Sequence, residues 1–140
     1  MVVTTELTML TIAKSYRFAS AHTLRSPHLS DSENLSTYGK CANASGHGHD
    51  YTIEVRVSSE RLDGDVIFGR GLLDRLVVEQ LAPRFDRKNV NETLGDGFIS
   101  SGENLAVAAH QLIRPHLPEH VSLEIRLVET EKNSFVYRGE

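Results

Sequence analysis

Tryptophan is absent from these 140 residues and cysteine occurs once, and each scarcity closes off a class of protein. A lone cysteine, Cys41, cannot form an internal disulfide, so folding does not call for an oxidising compartment. Five phenylalanines and four tyrosines are the only aromatics, which leaves little ring surface for stacking nucleic-acid bases. Basic excess is also missing. Fifteen Lys and Arg stand against 19 Asp and Glu, a formal charge of −4, so there is no electrostatic footprint for nucleic acid or an acidic membrane. No apolar run approaches the roughly 18 residues of a membrane span, and the opening Met1-Val-Val-Thr-Thr-Glu6 lacks the features of a secretory signal. The expectation is a cytoplasmic protein with one domain over 1–140, loose over 1–8, and a core large enough to fold without staples.

What is present alternates. Leu10, Ile12, Tyr16 and Phe18 share one side of a first strand that Lys14 interrupts, and the same parity reaches Ser20 and His22. Tyr51, Ile53, Val55 and Val57 alternate with Thr52, Glu54 and Arg56 in a second strand. Val121, Leu123, Ile125 and Leu127 mark a third, and residues 135–138 a short fourth. Between them, Leu72, Leu73, Leu76, Val77 and Leu81 follow helical spacing, with Pro83 limiting the helix. A second helix over 103–117 is expected to bury Leu105, Ala108, Ala109, Leu112 and Ile113, opened by a capping-box spacing at Ser100-Ser-Gly-Glu103. Residues 25–40 are polar and read as a long loop, which in a compact domain is usually functional or mobile. The order β-β-α-α-β-β predicts an α+β fold, helices packed on one face of a four-stranded antiparallel sheet.

The densest chemistry lies in Cys41-Ala-Asn-Ala-Ser-Gly-His47-Gly-His49-Asp-Tyr51. His47 and His49 project to the same side of an extended strand, and the glycine between them permits another backbone to approach. With His22 on a neighbouring strand they make three nitrogen ligands, the donor set of a catalytic zinc with an open fourth position. Spacing alone leaves open a turn with surface imidazoles. Cys41 is either a base poised on a metal-bound ligand or a small buried group. Glu129 continues the apolar parity of the third strand; it is either a desolvated carboxylate with a partner or a solvated residue past the strand end. His28, His110, His116 and His120 read as mostly surface groups.

Several separated motifs resemble one family. Phe18-Ala-Ser-Ala-His22, Tyr38-Gly-Lys-Cys41, Gly46-His-Gly-His49-Asp-Tyr51, Asp86-Arg-Lys-Asn89, Ser101-Gly-Glu103-Asn104, Val128-Glu129-Thr130 and Val136-Tyr-Arg-Gly-Glu140 follow the order of the 6-pyruvoyl-tetrahydropterin synthases and the related 6-carboxy-tetrahydropterin synthases of queuosine biosynthesis. The resemblance implies a tunnelling fold, in which three subunits join their sheets into a barrel, two trimers stack as a homohexamer, and sites lie between subunits. It implies zinc on His22, His47 and His49, and a pterin, dihydroneopterin triphosphate, anchored by Glu129 with Glu103 and Ser101 nearby. On that resemblance a zinc held there would lower the pKa of the C–H beside the substrate's side-chain oxygens, and Cys41 as thiolate would remove the proton with loss of triphosphate.

Five residues between Cys41 and His47 look like the tetrahydrobiopterin-forming branch, whose product is 6-pyruvoyl-tetrahydropterin. The 6-carboxy product of the queuosine branch is the alternative. One departure stands in the proton relay of Cys41, Asp86 and its neighbour: the family's histidine is replaced by Arg87. Arginine does not deprotonate in proteins, so Arg87 is expected to hold Cys41 as thiolate or to pair with phosphate. A third reading follows, a pterin-binding paralogue with weak or no turnover.

Overall fold

The computed structural model describes residues 9–42, 46–62, 64–95 and 97–139, with only the backbone of Arg70. The expected loose segment 1–8 lies outside them. Two 13-residue strands dominate: β1 (Leu10–His22) and β2 (His47–Ser59) pair antiparallel along their full length. β4 (Ser122–Val128) pairs with β2, and β5 (Ser134–Tyr137) pairs with β4, both antiparallel. These four are the expected strands. A fifth corrects the expectation: β3 (Lys88–Asn89) adds parallel to the end of β1 at Ser20 and Ala21, giving a mixed sheet of order β3-β1-β2-β4-β5. Two residues carry no alternation from which a strand can be read.

The alternation in β2 produces the core directly. Tyr51, Ile53, Val55 and Val57 are fully buried, and burying each aliphatic residue contributes about 1.5–3 kcal/mol. Leu123, Ile125 and Leu127 continue that face across β4. Helices cover it. α2 (Arg70–Gln80) buries Leu73 and Val77, and Leu81 follows on the same stripe, whereas the expected Leu72 is half exposed. Pro83 sits in the first turn of the short α3 (Ala82–Phe85), where its missing N–H costs nothing. α4 (Val90–Thr93) buries Val90. α5 (Gly102–Ile113) packs on β4 and β5 through Leu105, Ala106, Ala109 and Ile113, so its buried stripe is rotated from the predicted one. The interruption at Lys14 is explained by α2, because Lys14 Nζ and the Tyr16 hydroxyl both donate to Asp74, each at 2.6 Å.

Two further expectations change. Residues 25–40 are not all loop, since α1 (Asp31–Tyr38) occupies half of them. It is capped by a reciprocal pair, Ser30 and Glu33, and anchored by buried Asn34, whose amide group bonds the backbone of Ser26, Leu29 and Ser30. A helix held by polar anchors shows no apolar stripe. The predicted capping box at Ser100 shifts by one: Ser101 is the N-cap of α5, accepting from Asn104 N at 3.2 Å. Glu103 therefore falls one position short of the reciprocal partner. Gly102 behind the cap is required by packing, since a Cβ there would lie 2.0 Å from the Phe135 ring.

Candidate metal centre

Continuous pairing sets the site. The β1–β2 register has no bulge, so His22 stands opposite His47 and Ser20 opposite His49, and the three imidazoles gather on the core-facing side at one end of the sheet. Ring centroids lie 4.9 Å apart for His22 and His49, 4.4 Å for His47 and His49, and 6.4 Å for His22 and His47. Gly48 pairs with Ala21, but a Cβ there would meet only the Ser20 carbonyl, at an ordinary 3.8 Å. The expected close approach at this glycine does not occur.

Two more groups join from outside these strands. Cys41 lies in a 3-10 turn (Gly39–Ala42) tied to the continuation of β1 by Leu24 N donating to the Cys41 carbonyl. Glu129 follows β4 immediately, its N–H donating to Asn133 O at 3.0 Å, and its side chain is only 13% exposed. The solvated reading of Glu129 therefore does not hold. One ligand atom each from His22, Cys41, His49 and Glu129 lies within 4.8 Å of all the others. His49 Nε2 is the hub, 3.9 Å from Cys41 Sγ and 3.4 Å from Glu129 Oε1. His47 stands beside this convergent group rather than in it.

The state of His22 tests whether a metal fits. Its ring is fully buried. Nδ1 lies 3.0 Å from the Ser100 carbonyl and 3.2 Å from the Ser100 hydroxyl. A carbonyl only accepts, so Nδ1 carries the hydrogen and Nε2 presents a lone pair. That Nε2 is buried with no hydrogen-bond partner, as is the Tyr51 hydroxyl. An unsatisfied buried polar atom costs about 1–3 kcal/mol, and a metal-ligating histidine has this form: one nitrogen on a backbone carbonyl, the other on the metal. The residues fit a divalent metal cation.

Electrostatics agree. Burial pushes the His22 pKa down, with the nearby His47 charge adding to it, and pushes His49 down to about 4, reinforced by His22 and His47. Both rings are neutral at pH 7, the form in which a histidine can ligate a metal. Burial raises the Cys41 thiol, and the Glu129 charge raises it further; Glu129 itself is raised by burial and then by Glu103. Within a single subunit the Cys41 thiol thus feels an anion, opposite in sign to the expected cation of Arg87. A bound dication inverts that logic and favours thiolate.

The other predicted residues sit apart. Glu103 is exposed at the start of α5, near enough for its charge to act on Glu129, and Ser101 caps that helix. Asp86 ends α3, its N–H donating to Ala82 O at 2.9 Å. Arg87 is exposed in a left-handed conformation (φ 55) held by its N–H on Ala19 O at 2.6 Å. It lines an open cavity of about 430 Å³ with Lys88, Asp50 and the outer side of Gly48, which His49 also reaches. Ser100 and Tyr51 join the site without being predicted site residues. The parity of Tyr51 with His49 is the available signal for the latter; Ser100 has none. His110, expected at the surface, is 6% exposed at the other end of the core.

The 6-pyruvoyl tetrahydropterin synthase family model matches residues 11–140. The chain belongs to this family. It is 38% identical over 133 residues to a 6-pyruvoyl tetrahydrobiopterin synthase from Poecilia reticulata, covering 92% of this chain and 90% of that protein. The human protein of that name is 32% identical, with 92% and 91% covered. The solved structure of Caenorhabditis elegans 6-pyruvoyl tetrahydropterin synthase superposes with a TM-score of 0.87 at 28% identity, covering 97% of this chain and 99% of that one. The protein is an enzyme of the 6-pyruvoyl tetrahydropterin synthase type, and no helix among its described residues is long and apolar enough to cross a membrane.

Proposed function

We propose that this enzyme is a zinc-dependent lyase that converts 7,8-dihydroneopterin triphosphate to 6-pyruvoyl-tetrahydropterin with loss of triphosphate. The observation that carries the reading is the convergence of Cys41 and Glu129 on His22 and His49, with His22 Nε2 left as a buried lone pair. The names of the curated relatives favour the pyruvoyl over the 6-carboxy product.

On this reading His22 and His49 would hold the metal with His47, which stands beside their convergent group, as the third ligand. When bound, zinc supplies Lewis-acid activation of the C–H bond beside the substrate's hydroxyl oxygens. Glu129 accepts charge-assisted hydrogen bonds from the amino and ring N–H groups of the pterin, which orients the substituent at C6 toward the histidines. Cys41, beside His49, takes the C–H proton as thiolate, and triphosphate leaves from the neighbouring carbon. Tyr51 brings a buried, unpartnered hydroxyl to the same chamber. Assembly as a homohexamer fits the sheet edges: among the described residues only Ser20 and Ala21 of the outer edge of β1 are paired, and β5 has no strand on its far side. Open edges of this length are pairing surfaces.

Arg87 supports a second reading. It is exposed and cannot relay a proton, as a pterin-binding paralogue without turnover would tolerate. Product analysis after incubation with dihydroneopterin triphosphate separates the cases. The pyruvoyl product with free triphosphate supports the lyase, the 6-carboxy product with acetaldehyde the alternative branch, and binding without product the paralogue.

A further inference from the structure

Behind His22 lies a set of hydrogen bonds that no step above uses. Asn91, in α4, accepts at Oδ1 from Thr23 N at 2.7 Å, the residue next to His22. The same oxygen faces the Ser100 hydroxyl at 3.3 Å, which also reaches Thr23 O at 3.3 Å. Asn91 Nδ2 donates to Phe98 O at 3.2 Å, and Asn91 N is held by Asn89 Oδ1 at 3.0 Å. One amide thus bonds both the backbone leaving β1 and the 98–100 segment whose carbonyl receives His22 Nδ1. Thr23 and Ser100 are 77 residues apart in sequence, and Ser100 is fully buried.

We propose that Asn91 is a positioning residue for the metal centre. By clamping Thr23 to the 98–100 segment it keeps the Ser100 carbonyl on His22 Nδ1, fixes the Nδ1–H tautomer and leaves Nε2 as the ligand. A histidine free to take the other tautomer would present an N–H to the metal and could not ligate it. Outer partners of this kind tune metal affinity by roughly 10- to 100-fold. The proposal rests on the reading that His22 is a metal ligand.

The test uses the full-length protein, prepared metal-free and then titrated with zinc alone against a chromogenic chelator. Long-range proton–nitrogen NMR of the metal-free protein reports the His22 tautomer, assigned with His22→Ala. Wild type is expected to show Nδ1–H. Asn91→Ala is expected to raise the zinc dissociation constant roughly 10- to 100-fold and to move His22 to a mixture with Nε2–H. A folded Asn91→Ala protein with an unchanged tautomer overturns the proposal whatever its affinity, because a merely structural role weakens binding without moving that signal. If Asn91→Ala does not fold, Asn91→Asp replaces it. That variant keeps the acceptor for Thr23 N but loses the donor to Phe98 O, and an unshifted tautomer there also overturns the proposal. Wild type that takes up no zinc refutes the metal reading instead, and the tautomer comparison still decides the role of Asn91.

Discussion

Two histidines are buried among the described residues, one at each end of the core, and their surroundings differ in one respect. His110 is 6% exposed, with Nε2 3.2 Å from Leu123 O and its ring edge-on to Tyr137 at 5.0 Å. His22 is more deeply buried, yet only its Nδ1 is satisfied. His110 Nε2 donates to the Leu123 carbonyl of β4, and neither of its ring nitrogens is a buried atom without a partner. His22 has structure on one side and an unfilled lone pair, facing a thiol and a carboxylate, on the other. Burial alone does not mark a functional histidine; the unsatisfied nitrogen does.

The largest expected effect breaks this contrast outright. His22→Ala and His49→Ala should lose zinc during purification without added metal and lose turnover with it, while His110→Ala keeps a full complement of zinc. The fold of the first two should survive, because sheet and helices have their own apolar core, unlike a zinc finger. His47→Ala sharpens the ligand set. Metal loss there but not in Cys41→Ala assigns the three histidines; the reverse assigns His22, Cys41, His49 and Glu129. Zinc retained in both His22→Ala and His49→Ala would falsify the metal centre.

Next in size is Cys41. Its replacement by alanine should lower turnover roughly 10²- to 10⁴-fold, the range of a positioned general base, with substrate affinity nearly intact because zinc and Glu129 still hold both ends. Single-turnover rates beside equilibrium binding of substrate measure the two separately. A loss confined to affinity would return Cys41 to a packing role.

Glu129→Gln follows. It keeps the shape of the residue but loses the charge that receives the pterin N–H groups. Losing one such partner in a desolvated site costs about 2–3 kcal/mol, so pterin affinity should fall roughly 30- to 150-fold with zinc content unchanged. Fluorescence titration with a pterin measures it, and an unaltered dissociation constant removes Glu129 from the binding site.

The half of this site carried by alternation is legible in the sequence. Parity along β1 and β2 puts His22, His47 and His49 on the core side, and the unbroken register bears that out. Parity also carries Glu129 into the site from the end of β4. Illegible is whatever depends on contacts between segments far apart in sequence. Lys14 looks like a flaw in a strand until Asp74 approaches it from α2. Asn91 and Ser100 belong to no periodic pattern, and β3 is too short for one. His110 reads as a surface group because a histidine on a helix face counts as polar, although two backbone segments close over this one. Gly48 errs in the other direction: a glycine between two histidines suggests a steric demand that the structure does not impose.

The smallest expected effect concerns pH and returns to His110. Burial lowers its pKa below the usual 6.5, assisted by the charge of Arg114, and its bonds to Leu123 and Arg138 only partly oppose that. Above the unfolded value both states hold the ring neutral, and His110 makes stability independent of pH. As the pH falls through about 6.5 the unfolded state binds a proton that the folded state refuses. The stability His110 contributes is therefore present at neutral pH and lost on acidification, until the folded pKa is reached. For one proton the slope cannot exceed about 1.4 kcal/mol per pH unit. His22 and His49 add slopes of the same sign in the metal-free protein, so the contribution of His110 is read as a difference. Urea unfolding of metal-free wild type and His110→Gln between pH 8 and 5 should show a steeper acid decline in wild type. Parallel curves would mean that His110 takes its proton folded as readily as unfolded, and the Leu123 carbonyl would then be holding a cation rather than a neutral ring.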